Sequence, residues 1–357
     1  MKRLSVFLLL LVIGILLLNG CSDNAYLWQS VKGHWNLMSR ARPITDILAQ
    51  ENEPQNVRNQ LTKVVHLREF AVNSLHLPDS GSYQNYADIE RPYAVWNLVV
   101  APELSLELNQ WCFPIAGCVT YRGYFDKDSA LMLANHFSMQ GFEVDVYGVQ
   151  AYSTLNWFDD PVLNTFLSSD DLQLAALLFH EMAHQVIYVQ NDTAFNEAFA
   201  KTVEREGLRR WLQDSGTPEL WQRYQQREAR AVAFNGLLTK IRNQLRRIYD
   251  ADIDNDQKRL AKKQILEHAL ADYEDLKRSW DGYTGYDAWV QRGLNNARLS
   301  SVAAYYELVP AFETLLAHVD GDLQKFYREV KILGGFPKTE RHARLNSLSP
   351  SVRVGLD

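Results

Sequence analysis

Residues 172–207, LQLAALLFHEMAHQVIYVQNDTAFNEAFAKTVEREG, decide the fold. Apolar residues recur at helical spacing in the first half of this stretch, and the residues from His180 to His184 match H-E-x-x-H within that pattern. Positions i and i+4 lie one turn apart on the same face of a helix, so both imidazoles can reach one ion. Glu181 is offset around the helix, where its carboxylate can reach a metal-bound water instead of the metal. The motif therefore predicts a zinc hydrolase site.

A catalytic zinc ion usually takes three protein ligands and leaves the fourth position to water. Residues 191–193, Asn-Asp-Thr, predict a turn and an N-cap, after which a second helix would run antiparallel to the first. Glu197 lies one turn into that helix and can face back toward His184, so we predict it as the third ligand of one Zn2+ per chain. Glu204 and Asn196 are predicted to support the ligands from behind. Other downstream carboxylates that could close the site are Asp192, Glu204 and Glu206.

Simpler interpretations of this stretch remain open at this point. An H-E-x-x-H match can arise by chance in a chain of 357 residues, and a buried histidine more often fills a core position than binds a metal. The position of the motif in mid-helix, followed by N-E-x-x-A on a second helix, favours the metal site. Glu204 alone could equally belong to a solvated helix face.

The regions on both sides of the motif indicate the fold class. Three segments before it, at 94–101, 118–125 and 142–153, are rich in Val, Tyr and Phe and predict a small sheet, with one helix over 129–140. Residues 26–77 predict helices broken at Pro43, with Tyr26, Trp28 and Trp35 as core contacts. We predict an α+β, predominantly helical, zincin-like metallopeptidase fold. Its single domain would span 22–357, with helices and then a small sheet in 22–168, and the metal-site helices and further helices in 169–357.

Residues 147–157, YGVQAYSTLNW, are predicted to form a sheet edge that faces the substrate, because a peptide can pair with an exposed strand. The alternative is that Tyr152 and Trp157 are core residues and that the aspartates after them cap a turn. A helix is also predicted over 294–316, LNNARLSSVAAYYELVPAFETLL. Tyr305 or Tyr306 on this helix, or Tyr152, could stabilise the oxyanion of a hydrolytic intermediate, although helix tyrosines are usually packing residues.

The N-terminus has the features of an export signal. Residues 1–20 combine a basic start with an apolar run, Leu4 to Leu18, that is shorter than the ~20 residues of a membrane-spanning helix. Leu18-Asn19-Gly20-Cys21 resembles a bacterial lipobox, in which the cysteine is acylated. We expect a lipid anchor at Cys21 and a periplasm-facing protein of the cell envelope, on the outer membrane because no aspartate follows the cysteine. The alternative is an ordinary secretory signal.

The remaining cysteines and the charge fit this location. Cys112 and Cys118 flank a short segment with turn-forming Pro114 and Gly117, which predicts a disulfide in an oxidising compartment. The net charge of −6 argues against nucleic acid as a partner. The membrane, reached through the lipid anchor, and a peptide or unfolded-protein substrate are the expected partners.

Several stretches in order resemble the bacterial family of predicted aminopeptidase lipoproteins, a branch of the H-E-x-x-H plus glutamate zinc peptidases. They are the lipobox, the short cysteine loop, GVQAYSTLNWFDDPVL, HEMAHQ, NEAFA and NNARLSSVAAYYELVPAF. The resemblance covers essentially the whole chain after Cys21. It implies His180, His184 and Glu197 as zinc ligands and Glu181 as the catalytic base. Asn156 replaces the glycine expected in the family pattern.

The expected function is a zinc-dependent peptidase, specifically an aminopeptidase. Zinc would activate a water, and Glu181 would take its proton and return it to the leaving amine. An acidic side chain would have to hold the free amine of the substrate, and the candidates are Asp159, Asp160 and Glu204. The alternatives are an endopeptidase and a non-catalytic zinc-binding envelope lipoprotein that assists assembly or holds unfolded chains.

Overall fold

The computed structural model describes residues 21–113, 117–154, 157–167, 170–215 and 217–348, without the side chains of residues 21–24, 215, 304 and 305. The predicted signal peptide, residues 1–20, and the side chain of Cys21 lie outside this description. Within it, the fold is α+β and predominantly helical, as the sequence predicted. None of the described helices has both the length and the apolar character needed to cross a bilayer.

The N-terminal region is helical and broken near Pro43, as expected. It contains α1 (Cys21–Met38), β1 (Arg42–Pro43), α2 (Ile44–Leu48) and α3 (Gln55–Asn73). The prediction that Trp28 and Trp35 are core contacts is wrong, because their exposed fractions are 70% and 75%. Helix α1 buries its opposite face, where Leu37 is 1% exposed. Helical spacing identifies a stripe of apolar residues, but it does not say which stripe meets the core.

The predicted sheet is antiparallel. Its strands lie in the order β6 (Arg122–Tyr124), β3 (Val95–Pro102) and β7 (Phe142–Val149). In the β3–β7 pair, Val95 lies opposite Val149 and Pro102 opposite Phe142. A separate hairpin, β4–β5, carries the Cys112–Cys118 disulfide, which confirms the predicted pairing. The elements of this region are β2 (Asn85–Ala87), β3 (Val95–Pro102), β4 (Trp111–Phe113), β5 (Gly117–Val119), β6 (Arg122–Tyr124), α4 (Lys127–Met139), β7 (Phe142–Val149) and β8 (Val162–Leu163).

Helices make up the rest of the described chain: α5 (Asn164–Leu167), α6 (Asp171–Ala183), α7 (Thr193–Ser215), α8 (Pro218–Asp250), α9 (Asn255–Ser279), α10 (Asp287–Gln291), α11 (Asn296–Tyr306), α12 (Val309–His318), α13 (Leu323–Gly334) and α14 (Lys338–Leu348). The single helix predicted over 294–316 is two helices. Pro310 lies in the first turn of α12, where backbone N–H groups have no acceptor within the helix, so the missing N–H of proline costs nothing. In the interior of one continuous helix the same proline would be disruptive.

The main core surrounds the α6–α7 pair. Phe179 of α6 and Phe199 of α7 are fully buried, and the ring of Phe199 packs 6.1 Å from that of Phe312 on α12. The sheet covers this region from another side: β3 packs against α4 through one face and against Ala297 of α11 through the other. Helices α8 and α9 pack against each other around a separate core, to which Val290 of α10 and Leu299 of α11 also contribute. The metal-motif helices therefore lie inside the best-packed part of the chain.

Candidate metal centre

Helix α6 holds the H-E-x-x-H motif at its C-terminal end. It begins after Asp170, whose carboxylate accepts a hydrogen bond from the backbone N–H of Gln173, and its apolar face is buried. The helix ends at Ala183, so His184 is the first residue of the turn toward α7. Asp192 closes this turn because its carboxylate accepts a hydrogen bond from the Phe195 N–H in the first turn of α7. Two local capping interactions thus fix the antiparallel pair that the sequence predicted.

The pair brings His180, His184 and Glu197 together, with one potential ligand atom of each within 4.8 Å of the others. The Nε2 atom of His180 lies 3.2 Å from Glu197 Oε2, and that of His184 lies 3.7 Å from the same oxygen. All three side chains are largely buried. Two imidazole nitrogens and one carboxylate oxygen form the donor set of a catalytic zinc site.

A second layer of side chains supports His180. Its Nδ1 atom lies 3.3 Å from Glu204 Oε2, which leaves Nε2 to point at the centre of the cluster. Lys201 Nζ lies 2.6 Å from the other oxygen of Glu204. A carboxylate behind a metal-binding histidine fixes the ring orientation and the tautomer. The structure thus brings Glu204 to the site together with Lys201, which the sequence analysis did not single out.

Asn196 supports the turn instead of touching a ligand ring. Its side chain exchanges two hydrogen bonds of 2.8 Å with the backbone of Val189, in the segment between the two helices. This fixes the path of the chain between His184 and Glu197. The alternative carboxylates have other partners: Asp192 pairs with Arg341, and Glu206 pairs with the arginines that follow it on α7.

The pKa values of the two histidines show how the cluster treats positive charge. Burial opposes protonation of both, but hydrogen bonds to Glu197 and Glu204 outweigh it at His180 and raise its pKa to about 10. At His184 burial dominates and lowers the pKa to about 4, so this imidazole is neutral at pH 7. The buried Nδ1 atom of His184 has no hydrogen-bond partner among the described residues, unlike a histidine that only fills a core.

When both imidazoles are neutral, as metal binding requires, the cluster carries an excess of negative charge. Glu181, Glu197 and Glu204 supply three carboxylates against the single ammonium group of Lys201. With both imidazoles neutral, a divalent cation would balance this charge. The residues therefore fit a zinc ion in both donor chemistry and charge, and a metal would compete with the proton of His180 for its Nε2 atom.

Glu181 faces the same buried space. Burial raises its pKa to about 7, and the neighbouring charges of Glu197 and Asp160 add to the rise against the effect of His180. A carboxylate with a pKa near the working pH can both accept and return a proton. The carboxylate that the motif predicts as a base thus has a suitable environment.

The charge of Glu197 acts on three tyrosines that sequence reasoning missed, Tyr121, Tyr147 and Tyr188. Burial raises the pKa of Tyr121 well above its usual value, with the charges of Glu197 and Glu181 among the further causes. Burial, and after it the charge of Glu197, raises the pKa of Tyr188. Burial also raises the pKa of Tyr147 to about 12, with the charge of Glu197 among the smaller causes. Their phenols stay protonated and can donate hydrogen bonds at pH 7. Tyr121 and Tyr147 come from strand segments distant in sequence, and only the position of Tyr188 four residues after His184 offered a local signal.

Of the three tyrosines predicted for the oxyanion, Tyr152 and Tyr306 have described side chains. Tyr152 packs edge-on against Phe125, with ring centroids 5.1 Å apart. Lys201 Nζ lies 5.8 Å from the ring centre of Tyr306. The side chain of Tyr305 lies outside the described residues.

The candidates for binding a substrate amine differ in how many partners they already have. Asp160 accepts hydrogen bonds from the backbone and the hydroxyl of Thr154, and Glu204 is paired as described above. Asp159 is exposed, and its carboxylate packs so closely on Gly81 that a Cβ atom there would lie 2.3 Å from it. Of the three, Asp159 has the most accessible carboxylate.

The predicted substrate-facing edge is shorter than expected. Strand β7 is an edge strand, but it ends at Val149; residues 150–154 are not extended into it, and residues 155 and 156 lie outside the described part. The Asp160 carboxylate binds Thr154 and so folds this segment back into a loop. A cavity of about 520 Å³ is lined by the segment between α6 and α7, including Tyr188, and by residues of the C-terminal helices.

The disulfide hairpin contacts the turn between the ligands. The Cys118 N–H donates a 2.6 Å hydrogen bond to Asn191 Oδ1, and Gly117 approaches the same side chain so closely that a Cβ atom would lie 2.7 Å away. Asn191 has a positive φ of 65°, a conformation that asparagine tolerates better than most residues. The cysteine loop thus supports the segment that joins His184 to Glu197.

Comparison with known proteins identifies a family for this fold and site. Residues 25–345 match the profile of a family described as "Putative aminopeptidase". No curated protein and no solved structure matches the chain. The match covers most of the sequence and confirms the family resemblance that the motifs indicated. The chain therefore belongs to the "Putative aminopeptidase" family.

Proposed function

We propose that this protein is a zinc-dependent aminopeptidase in which His180, His184 and Glu197 hold one zinc ion. The observation that carries the proposal is the convergence of these three donors within 4.8 Å, in a buried cluster with excess negative charge. The family name supports peptide hydrolysis. When bound, zinc supplies the Lewis acidity that lowers the pKa of water toward ~7 and polarises a carbonyl.

Glu181 performs the proton transfers in this proposal. Its carboxylate accepts a proton from the attacking water and delivers it to the nitrogen of the leaving amine. A pKa of about 7 suits both steps, because neither protonation state is strongly disfavoured near neutral pH. Glu181 comes directly after His180 on α6, so its position relative to the ligands is fixed by the helix.

Tyr121 is the residue we assign to the oxyanion. After burial, the charges of both Glu197 and Glu181 are among the causes that raise its pKa, which supports a position near the site. Its raised pKa keeps the hydroxyl protonated and able to donate to the negative oxygen that develops on the substrate. Tyr121→Phe should lower kcat by roughly 10²-fold with a smaller effect on KM, and an unchanged kcat would remove Tyr121 from this role.

Asp159 is the proposed partner of the substrate's free amine, because its carboxylate is the accessible one. Asp159→Asn should raise KM for peptides with a free N-terminus. Peptides with a blocked N-terminus separate the activities: the proposal predicts that they are not cleaved, whereas efficient cleavage would identify an endopeptidase.

Metal analysis tests the proposal most directly. The unaltered protein should contain one zinc ion per chain, and Glu197→Ala should lose it. Glu206→Ala is the matched control, since Glu206 lies on the same helix but pairs with Arg209 and Arg210. Absence of zinc from the unaltered protein after purification without chelators would contradict the hydrolase and favour a binding protein of the envelope.

The proposed location is the periplasmic side of the outer membrane, with acylated Cys21 as the anchor. The lipobox-like sequence supports it. Metabolic labelling with a radioactive fatty acid should label the unaltered chain and fail to label Cys21→Ser. Labelling of the variant would contradict acylation at this residue.

A further inference from the structure

Helix α1 has one face that packs on the protein and one that does not. On the packed face, Tyr26 stacks on Phe113 with ring centroids 5.6 Å apart, and Gly33 lies against the ring of Phe125. Leu37 completes this face and is buried. These residues follow one another at helical spacing, so the rest of the helix surface points away from the core.

The opposite face is apolar and exposed. Trp28, Val31 and Trp35 lie at positions i, i+3 and i+7, and their exposed fractions are 70%, 62% and 75%. Leu27 borders them and is also exposed. Soluble proteins rarely expose a large contiguous apolar patch, and such a patch usually marks a site of interaction.

A loop extends this surface beyond the helix. The ring of Phe158 lies 4.7 Å from that of His34, which borders the exposed stripe of α1. Phe158 and its neighbour Trp157 are themselves exposed by 54% and 64%. We call these six residues the aromatic face: Leu27, Trp28, Val31, Trp35, Trp157 and Phe158.

The distribution of tryptophan sets this face apart. All nine tryptophans of the chain fall within the described residues, and the three exposed ones, Trp28, Trp35 and Trp157, all belong to the aromatic face. Tryptophan is enriched where a protein meets the headgroup region of a bilayer, because its ring is apolar while its N–H still finds a polar partner.

The sequence before α1 indicates which surface this face meets. The apolar run from Leu4 to Leu18 ends just before Cys21, where α1 begins. If that run stays in the bilayer, or if a lipid on Cys21 replaces it as proposed above, the start of α1 is held at the membrane. At 1.5 Å per residue Trp35 is only about 21 Å along the helix from Cys21, within reach of a bilayer on which the helix lies flat.

We infer that the aromatic face inserts into the interfacial region of a phospholipid bilayer, with α1 parallel to the membrane plane. The N-terminal anchor then does not act as a flexible tether; α1 and the 157–158 loop hold the folded body against the lipid. The loop also ends at Asp160, whose charge acts on Glu181, so one segment connects the membrane contact with the metal centre. This inference does not depend on zinc binding or on hydrolysis.

Depth-dependent fluorescence quenching tests this arrangement in the full chain. The protein is reconstituted into phosphatidylcholine vesicles with and without bromine on acyl carbons near the headgroup, and the unaltered protein is compared with the Trp28→Phe, Trp35→Phe double variant. Residues 1–20 contain no tryptophan, so the N-terminal run gives no signal of its own. The fluorescence that the unaltered protein has and the double variant lacks comes from Trp28 and Trp35. Bromine should quench this fluorescence by roughly half or more.

Two further variants make the result decisive. Trp280→Phe is the matched control, because Trp280 packs among Tyr283 and Tyr286 and its emission should be insensitive to bromine. Val31→Glu places a charge in the middle of the aromatic face. The charge is stable in water but unfavourable in lipid, so this variant should show less quenching and an unchanged unfolding midpoint. Emission from Trp28 and Trp35 that bromine leaves unchanged would overturn the inference and assign the face to a protein partner or to solvent.

Discussion

Two clusters of charged side chains lie at the N-terminal end of helix α7, and they differ in the balance of acidic and basic groups. The metal cluster consists of His180, Glu181, His184, Glu197, Glu204 and Lys201. The Asp192 cluster lies a few residues earlier and consists of Asp192, Lys338, Arg341 and His342. With both imidazoles neutral, the metal cluster has an excess of negative charge, whereas in the Asp192 cluster one carboxylate faces three basic side chains.

The difference lies in how completely the polar atoms are paired. The Asp192 carboxylate accepts hydrogen bonds from Arg341 and His342 and from the start of α7, and Arg341 also donates to two backbone carbonyls. In the metal cluster, His184 Nδ1 has no partner among the described residues, and burial raises the pKa of Glu181. Charges that are fully paired join α7 to α14 and stabilise the fold. Charges that are incompletely paired are available for a ligand and for chemistry.

The largest effect that would sharpen this comparison is expected for Glu181→Gln. Loss of the base should lower kcat by about 10³-fold, while zinc content stays at one per chain and the unfolding midpoint does not fall. Peptide hydrolysis, elemental analysis and thermal unfolding measure the three quantities. Full activity in the variant would show that the raised pKa of Glu181 has no catalytic role.

Asp192→Asn should have the opposite profile. It leaves buried Arg341 without its charge partner, and we expect a loss of about 3 kcal/mol in the free energy of unfolding, with kcat of the folded protein little changed. Denaturant titration measures the loss. Asp322→Asn, which alters the exposed cap of α13, is the control and should have a much smaller effect. Equal stability in the two variants would show that the Asp192 cluster does not hold α14 in place.

Lys201→Met tests whether the second layer belongs to the metal cluster. Without its ammonium partner Glu204 should orient His180 less well, and zinc affinity should fall by about 30-fold, with partial recovery in Lys201→Arg. Competition with a zinc chelator measures the affinity. The matched control is Lys262→Met, since Lys262 is also buried and paired with a carboxylate, Glu143, outside the metal cluster. A similar affinity loss in the control would assign the effect to general destabilisation.

The smallest expected effect is a pH dependence of the Asp192 cluster. Burial alone would raise the pKa of Asp192, but hydrogen bonds from His342 and Arg341 reverse this and hold it below its usual value. A lowered folded-state pKa gives stability that is present above the unfolded pKa of about 3.9 and is lost as the pH falls through the folded value. The stability difference between the unaltered protein and Asp192→Asn should therefore be constant from about pH 5 to 7 and shrink below about pH 4. A difference that grows on acidification would contradict this pairing.

Local sequence was sufficient for several features because the forces that set them act over a few residues. The H-E-x-x-H spacing on an apolar helix, the turn at residues 191–193 and the next helix all follow from periodicity and capping. The strand-rich region before the motif is likewise confirmed, although its last strand ends at Val149. The disulfide was predictable because its two cysteines flank turn-forming residues.

Other features depended on contacts that sequence order does not show. Tyr121, between β5 and β6, and Tyr147, on β7, have the charge of Glu197 among the causes of their raised pKa, and no local pattern distinguishes them from other tyrosines of the sheet region. The partners of Asp192 lie about 150 positions away in sequence. Lys201 was equally hidden, since only the fold buries it against Glu204 and Tyr306.

By itself the sequence determined the fold class, the helix pair that carries the H-E-x-x-H motif and Glu197, and the family, since periodic apolar residues and short motifs encode them directly. Only the tertiary structure decided which carboxylates are already paired with basic side chains, on which tyrosines the charge of Glu197 acts, and which side of α1 is exposed. Burial and pairing are properties of the packed chain: Trp28 and Tyr26 follow the same helical pattern, and they differ only in what lies opposite them.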